Sequence, residues 1–136
     1  MKVVDVMTEA PVTVTPSETI RQADGLMDEN NFRQIPVVNG QELVGIITDR
    51  DIRSFLSGSL HSSTEDWEKA MNTKVATVMT TQPITVAPDD DLAEAVEILL
   101  TEKIGAIPVV DEAAGLVGIL SYVDVLRCFL DRLQED

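Results

Sequence analysis

The sequence predicts an α/β fold of the α+β type, in which two β-α-β-β-α repeats pack as one pseudo-two-fold module. One observation is that Val6-Met7-Thr8 returns 72 residues later as Val78-Met79-Thr80, and repeated units of this kind bury each other's apolar faces. A second is that strand-like and helix-like segments follow in the same order in both copies. A chain of 136 residues can bury about two-thirds of its unfolded surface as one unit. We therefore expect repeat 1 at residues 1–58, a linker at 59–74 and repeat 2 at 75–136.

Each repeat is predicted to open with a strand and a helix. Residues 11–16, PVTVTP, are rich in β-branched residues between prolines, which favours a bounded strand. Thr19 with Gln22, and Asp91 with Glu94 at the equivalent position, have the spacing of a capping box. Apolar residues then recur at helical spacing in both copies. Both helices should bury one side.

A hairpin and a closing helix complete each repeat. Residues 35–38 and 43–48 are apolar and β-branched, and Asn39-Gly40 between them suits a turn with positive φ. A longer loop at 111–115 replaces that turn in the second repeat. The closing helices carry apolar stripes, namely Ile52, Phe55 and Leu56 in the first repeat and Val125, Leu126, Phe129, Leu130 and Leu133 in the second. The second stripe packs either on the core of its own chain or on a second copy.

Small polar residues mark the linker, and its later half is predicted to form a short helix. Trp67 is its one large aromatic residue. A solitary linker tryptophan commonly pins a connection onto the body of a protein, although it can also anchor a partner. No site is assigned to it.

Composition excludes several classes of function. Ten Lys and Arg stand against 24 Asp and Glu, a formal net charge of −14. Attraction to a phosphate backbone therefore cannot be the general basis of binding, and a nucleic acid is not an expected partner. No apolar run approaches the roughly 20 residues of a membrane-spanning helix, and no signal peptide is visible. We expect a cytoplasmic protein with no membrane insertion.

The scarcity of reactive residues argues against catalysis. Cys128 is the only cysteine and His61 the only histidine, which excludes an intrachain disulfide and argues against a Cys/His pair or a zinc site. No Ser/His/Asp set, phosphate-binding loop or metal-ligand cluster is visible. We expect no enzyme activity, no metal and no required cofactor. Cys128 should be a packed or partly exposed thiol on the last helix.

The most informative local pattern is a hydroxyl followed three residues later by a carboxylate at each strand-to-helix junction. Thr48 and Asp51 form it in the first repeat, and Ser121 and Asp124 in the second. The amides of a helix N-terminus favour a phosphate beside the hydroxyl, and a carboxylate can accept both hydrogen bonds of a ribose diol. The same spacing is also an ordinary helix cap, worth about 1 kcal/mol. A ligand is favoured because both copies place isoleucine before a proline, which withholds its amide and leaves neighbouring backbone groups for a base edge.

Together these features resemble the CBS domain family, named from cystathionine β-synthase and found as tandem pairs. The marks are Val-Met-Thr at the start of each copy, Thr-Val and then Pro in the first strand, Ile-Pro-Val-Val in the second, and Gly-x-x-Thr/Ser-x-x-Asp before the last helix. The resemblance covers residues 1–134. It implies two clefts that commonly hold adenosine-containing ligands such as AMP, ADP, ATP or S-adenosylmethionine.

The resemblance also implies roles for individual residues. The ribose-binding acids are Asp51 and Asp124, and the phosphate-contacting hydroxyls belong to Thr48 and Ser121. The backbone that meets adenine belongs to the residue before each proline. With Thr15 as a further contact and Arg50 beside the first cap, the expected ligand-binding residues are Thr15, Ile35, Pro36, Thr48, Arg50, Asp51, Ile107, Pro108, Ser121 and Asp124.

Departures from the family pattern make the two clefts unequal. Ala87 stands where the first copy has Thr15, and Val123 and Leu126 stand where it has Arg50 and Arg53. Because the net charge is −14, binding of a polyphosphate would need nearby arginines, here Arg33, Arg50 and Arg53. The alternative is that these three arginines are ordinary solvated surface residues. A glycine common before the second strand is replaced by Asn31, which tolerates left-handed backbone, and by Lys103, which tolerates it poorly. We expect the cleft built on Asp51 to bind better.

The predicted function is that of a stand-alone regulatory module that binds an adenosine-containing ligand and modulates a separate target protein of unknown identity. The family resemblance also suggests a homodimer. The alternative is a ligand-free structural module that serves only for dimerisation or docking. Signalling would require the ligand to bind two arrangements of the repeat pair or of the dimer with unequal affinity.

Overall fold

A computed structural model of the chain describes residues 1–58 and 63–135. It divides into two compact units, here called the first-repeat unit, Val12–Gln82, and the second-repeat unit, Met1–Pro11 with Pro83–Asp136. These units are cut differently from the repeats of the sequence, because the segment at residues 1–11 packs with the second repeat and its equivalent at 75–82 packs with the first. The division into residues 1–58, 59–74 and 75–136 remains a prediction about the sequence. His61 lies outside the described residues.

The described residues form short strands and helices. In chain order they are a 3₁₀ turn (Val3–Asp5), β1 (Thr8–Glu9), α1 (Ile20–Asn30), β2 (Gln34–Asn39), β3 (Glu42–Thr48), α2 (Asp49–Ser57), α3 (Thr64–Met71), α4 (Val75–Val78), β4 (Thr80–Thr81), α5 (Leu92–Glu102), β5 (Ala106–Asp111), β6 (Gly115–Ser121) and α6 (Tyr122–Gln134). The predicted short helix of the linker is confirmed as α3, and the predicted hairpins are confirmed as β2-β3 and β5-β6.

Each unit contains one three-stranded antiparallel sheet, in the order β2-β3-β4 in the first-repeat unit and β1-β6-β5 in the second. The hairpins share one register, with Ile35 opposite Ile47 and Ile107 opposite Leu120. Each ladder is also interrupted at the same place, after Val37 or Val109. The predicted α/β fold of two similar units is thereby confirmed.

The strand predicted at residues 11–16 is wrong. Val14 alone makes a parallel bridge to Val37, donating its N–H to the Pro36 carbonyl at 3.2 Å and accepting from the Val38 N–H at 2.9 Å. Val86 makes the equivalent bridge to Val109. The ladder cannot extend because Pro11 and Pro16, at the two ends of the segment, have no N–H to donate. Pro36 of the facing strand β2 has none either.

Two strands that the sequence pattern did not predict lie in the Val-Met-Thr motifs. β4 pairs with β3 at Gly45, and β1 pairs with β6 at Gly118. A Cβ on Gly45 would lie 2.8 Å from the carbonyl oxygen of Thr80, and one on Gly118 would lie 2.9 Å from that of Thr8. Glycine is therefore required at both positions for the edge strand to approach. Strands of two residues are too short to show an alternating pattern.

The two predicted capping boxes have opposite outcomes. The one at α1 is confirmed, since the Gln22 N–H donates to Thr19 Oγ1 at 3.3 Å and the Thr19 N–H donates to Gln22 Oε1 at 2.8 Å. The one formed by Asp91 and Glu94 is wrong, because Asp91 precedes α5 without a side-chain hydrogen bond to it. The Leu92 N–H donates instead to the backbone carbonyl of Met1 at 2.9 Å, so the N-terminal segment satisfies the first amide of α5.

Each unit has its own hydrophobic core, and α1 and α5 each bury one side, as predicted. Ile20, Ala23 and Met27 of α1 are buried, as are Ala95 and Leu99 of α5. The core of the first-repeat unit is formed by Val14, Ile20, Ala23, Met27, Ile35, Val37, Ile47, Ile52, Met71 and Val75. The core of the second-repeat unit is formed by Val3, Val86, Ala95, Leu99, Ile107, Val109 and Leu120.

The closing helices α2 and α6 treat their apolar residues differently. Phe55 and Leu56 of α2 are partly buried and pack against the core, as does Val125 of α6. The remaining residues of the apolar stripe predicted for α6 form an exposed surface, here called the α6 stripe, with exposed fractions of 51–63% at Leu126, Phe129, Leu130 and Leu133. These residues therefore do not cover the core of their own unit.

Two single residues from the sequence analysis also have clear positions. Cys128 is a partly exposed thiol on α6, as predicted, and its Sγ lies 3.9 Å from Met1 Sδ. Trp67 on α3 remains 38% exposed, so the choice between a structural pin and a partner anchor stays open. None of the helices in residues 1–58 and 63–135 combines the length and hydrophobicity that crossing a bilayer requires.

Candidate functional site

The first candidate site lies where β3 ends and α2 begins. Thr48 is the last residue of β3 and the N-cap of α2, and Asp51 lies in the first helical turn. The Asp51 N–H donates to Thr48 Oγ1 at 3.0 Å, and the Thr48 N–H donates to Asp51 Oδ2 at 3.0 Å. The ordinary cap that the spacing allows is therefore present. It leaves Asp51 Oδ1 and the Thr48 hydroxyl hydrogen without a partner among the described residues.

The second candidate site lies at the equivalent junction of β6 and α6, and its groups are more fully used. Ser121 donates to Asp124 Oδ2 twice, from its N–H at 2.9 Å and from its hydroxyl at 3.1 Å. The Asp124 N–H donates back to Ser121 Oγ at 3.3 Å. The hydroxyl of Thr8 donates to the remaining oxygen, Oδ1, at 2.9 Å. Asp124 is only 7% exposed, whereas Asp51 is partly buried.

Thr8 and Thr80 are site residues that sequence reasoning missed. They are the threonines of the two Val-Met-Thr motifs, and each sits on the edge strand of its unit. Thr8 Oγ1 is 2.9 Å from the second carboxylate, and Thr80 Oγ1 is 3.5 Å from Asp51 Oδ2. The repetition of Val-Met-Thr at a step of 72 residues was the signal in the sequence that could have pointed to these threonines. The contact of each threonine with its distant carboxylate became visible only when the edge strand was located.

Ile35 and Pro36 lie at the end of β2 that is closest to the first junction. Gln34 of β2 is opposite Thr48 of β3, so these residues belong to the same end of the sheet as Asp51. The side chains of Ile35 and Pro36 are buried in the core, and the backbone of Ile35 pairs with Ile47 of β3, so neither part of Ile35 is open to a ligand. Ile107 and Pro108 have the same position beside Ser121, since Ala106 is opposite Ser121.

The backbone edge that is open at this end of β2 belongs to the residue before Ile35. The Pro36 carbonyl and the Val38 N–H face Val14, so the alternation of a strand turns the polar groups of Ile35 towards β3 and those of Gln34 to the outer edge. The outer-edge groups of Gln34 have no backbone partner among the described residues. Ala106 occupies the equivalent position in β5.

The structure does not bring Thr15 together with the other predicted contacts of its own unit. Thr15 follows Val14, which is bridged to Val37 near the hairpin turn, whereas Thr48 of β3 is paired with Gln34 at the opposite end of the hairpin. Thr15 is exposed, its N–H donates to Glu18 Oε1 at 3.0 Å, and its Oγ1 lies 3.2 Å from Ser17 Oγ. In this unit its observed role is therefore to shape the turn before α1.

The three arginines near the first junction are in different states. Arg53 and Arg33 both approach Asp49 Oδ2, at 3.2 and 3.8 Å. Arg50 is exposed and has no carboxylate partner within the described residues. Arg50 is therefore the arginine that a ligand could engage without breaking an ion pair. Across residues 1–58 and 63–135 there is no cluster of His, Cys, Asp and Glu of a size that could hold a metal ion.

Comparison with known proteins identifies the family to which these features belong. The model of the CBS domain matches residues 3–58 and 75–131. Protein MJ1225 of Methanocaldococcus jannaschii is 35% identical over 92% of this chain, and inosine-5'-monophosphate dehydrogenase of Korarchaeum cryptofilum is 36% identical over 84%. The chain spans only 48% of the first relative and 21% of the second.

Solved structures of the same fold carry ligands. CBSX2 of Arabidopsis thaliana in complex with AMP has a TM-score of 0.81 and 30% identity, and the match covers 96% of both chains. The CBS domain pair of protein MJ0100, in complex with 5'-methylthioadenosine and S-adenosyl-L-methionine, has a TM-score of 0.80 and 26% identity, covering 97% of this chain and 98% of the other.

Proposed function

Because the chain belongs to the CBS domain family, we propose that it is a regulatory module that binds an adenosine-containing ligand of the AMP, ADP, ATP or S-adenosylmethionine type and modulates a separate partner protein in the cytoplasm. The observation that carries the proposal is the junction of β3 and α2, where Thr48 and Asp51 present unused hydrogen-bonding groups beside an open strand edge. The ligands of CBSX2 and of MJ0100 support the choice of ligand class.

The ribose would bind Asp51. A carboxylate has about four acceptor positions on its two oxygens, and within the described residues Asp51 Oδ2 accepts the hydrogen bonds from the Thr48 N–H and the Thr80 hydroxyl. Oδ1 is thus available to the two hydroxyls of a ribose. Asp51 needs no proton transfer for this role, since an ionised carboxylate accepts from neutral hydroxyls. The proposed site has no chemical step.

A phosphate would bind at the start of α2. The Thr48 hydroxyl retains a hydrogen to donate, and the first turn of a helix favours an anion. The opposing effect is repulsion from Asp49 and Asp51 in the same turn. Arg33 and Arg53 already offset Asp49, so Arg50 is the group that would offset the charge of a polyphosphate.

The adenine would bind along the outer edge of β2. The N–H and carbonyl of Gln34 face outward, and the next residue of that edge, Pro36, offers no N–H. A base edge carries both donors and acceptors, so an isolated donor-acceptor pair on an edge strand suits it. We propose that Ile35 contributes by fixing this edge through its buried side chain.

Thermal unfolding with millimolar AMP, ADP, ATP and S-adenosylmethionine tests the proposal. A ligand at about 100 times its Kd adds roughly 2.7 kcal/mol of stability, which raises Tm by several degrees. Asp51→Ala should abolish the rise, and Asp124→Ala should not. A protein whose Tm responds to none of these ligands would contradict the proposal.

Arg50→Ala separates the contributions of sugar and phosphate. We expect it to weaken ATP binding more than AMP binding, because the removed charge faces the additional phosphates. Arg21→Ala is the matched control, since Arg21 is engaged with Glu68 and lies on α1. Equal losses for AMP and ATP in Arg50→Ala would place the phosphates elsewhere.

A second candidate function, dimerisation, is favoured by the α6 stripe. Four large apolar side chains that are 51–63% exposed on one helix form a surface typical of protein interfaces. We propose that the stripe packs against a second copy of the chain, as the alternative reading of its sequence predicted. Light scattering should show a dimer that Leu126→Glu with Leu130→Glu disrupts. Leu100→Glu is the control, because Leu100 is 62% exposed on α5, outside the stripe.

A further inference from the structure

We infer that Thr8 masks the second carboxylate, so that the junction of β6 and α6 is closed to an adenosine ligand by a hydrogen bond from the edge strand of its own unit. The inference rests on the proposed function and concerns its regulation. It follows from the difference between two junctions whose sequence motifs are nearly the same.

The first step is a count of acceptors. Asp124 Oδ2 accepts from both the N–H and the hydroxyl of Ser121, and Oδ1 accepts from Thr8 at 2.9 Å. A ribose diol brings two donors, and only about one of the four acceptor positions of this carboxylate is still open. Ribose binding therefore requires that one side-chain hydrogen bond be broken, and the bond from Thr8 is the one that occupies Oδ1.

The second step is access. Asp124 is 7% exposed, and β1 lies against β6 with Thr8 opposite Ile119. The backbone of Thr8 is therefore held near the carboxylate by its strand, and the hydrogen bond requires only that the side chain keep one rotamer. The hydroxyl of Ser121, which would otherwise serve a phosphate, is also used by Asp124.

The third step is the contrast with the other unit. Thr80 occupies the position of Thr8, but its Oγ1 lies 3.5 Å from Asp51, at the limit of a hydrogen bond, and it approaches the oxygen that already accepts the Thr48 N–H. Asp51 Oδ1 is left for a ligand. A hydrogen bond to a charged group is worth enough that masking should weaken binding roughly 10- to 100-fold.

The test uses calorimetric titration of the whole chain with AMP. We expect the unaltered protein to bind one AMP, Asp51→Ala to bind none, and Asp51→Ala with Thr8→Val to recover one site. Valine has nearly the shape of threonine and keeps the β-branched side chain that β1 needs, but it lacks the donor. Asp51→Ala with Thr80→Val is the matched control and should stay silent, as should Asp51→Ala with Thr8→Ser, which keeps the hydroxyl.

Each outcome decides between the two proposals. If the unaltered protein binds AMP and the variant with Thr8→Val recovers nothing while its thermal unfolding shows an intact fold, the masking role is wrong and the proposed function stands. Two AMP molecules bound with equal affinity to the unaltered protein would likewise overturn the masking. Absence of AMP binding from both the unaltered protein and Thr8→Val would overturn this inference, and the proposed function would be rejected as well if ADP, ATP and S-adenosylmethionine also failed to bind.

Discussion

The two units share the register of their hairpins, yet they use the same motif in different ways. In the second-repeat unit the carboxylate of Asp124 is buried and bonded at both oxygens, so it acts as part of the structure. In the first-repeat unit Asp51 is less buried and keeps one oxygen unused by the described residues. A duplicated motif therefore does not imply a duplicated function. The threonine of the edge strand lies 2.9 Å from its carboxylate in the second-repeat unit and 3.5 Å in the first.

The largest effect expected from single changes is at the glycines beneath the edge strands. Gly118→Ala would place a Cβ 2.6 Å from Met7 Sδ and 2.9 Å from the Thr8 carbonyl oxygen, and Gly45→Ala would place it 2.8 Å from both Met79 Sδ and the Thr80 carbonyl oxygen. Sulfur at the end of a flexible side chain can move, but a strand carbonyl moves only with its strand. We expect each change to lower the free energy of unfolding by about 1–3 kcal/mol, measured by urea denaturation.

Gly25→Ala is the control for these substitutions. Gly25 lies inside α1 with no atom within 4 Å of the added Cβ, so alanine should raise the stability by about 1 kcal/mol. If all three alanine variants changed stability equally, close approach of β1 and β4 would not be the reason for glycine at positions 45 and 118.

An effect of similar size should separate the two carboxylates. Asp124→Ala removes an acceptor that serves Ser121 and Thr8 at a buried site, and we expect a loss of about 2–3 kcal/mol in the free energy of unfolding. Asp51→Ala removes fewer and more exposed hydrogen bonds, with an expected loss of about 1 kcal/mol. Urea denaturation without ligand measures both. Equal losses would show that Asp124 is no more structural than Asp51.

The sequence predicted most of the secondary structure and the residues of both junctions, and the predictions that were wrong have physical reasons. Hairpins, helices and the junction residues Thr48, Asp51, Ser121 and Asp124 follow from periodicity and local spacing, which act over a few residues. The use of Thr8 by Asp124 joins residues 116 positions apart, and no local pattern encodes such a contact. The strand predicted at residues 11–16 was wrong because β propensity alone does not make a ladder. Prolines at the ends of this segment and in the facing strand lack the N–H groups that a ladder needs.

A smaller effect should distinguish the two N-caps. Thr19→Ala removes a side chain that accepts the Gln22 N–H, and we expect it to lower the free energy of unfolding by about 1 kcal/mol. Asp91→Ala removes no side-chain hydrogen bond to α5, whose first amide is held by Met1, so its effect should be within about 0.5 kcal/mol. Thermal unfolding of both variants provides the comparison. A loss at Asp91 as large as that at Thr19 would indicate that its carboxylate caps α5 in solution.

The smallest effect concerns the residues that end α1 and α5. Asn31 and Lys103 both adopt left-handed backbone, with φ of 56° and 54°. Asparagine enters this region readily, whereas a lysine Cβ meets the steric penalty in full. We expect Lys103→Gly to raise the free energy of unfolding by about 0.5–1 kcal/mol and Asn31→Gly to change it by only a few tenths, because glycine relieves strain only where strain exists. Urea denaturation of the two variants measures the difference. An equal change in the free energy of unfolding for the two variants would mean that the left-handed backbone of Lys103 is no more strained than that of Asn31.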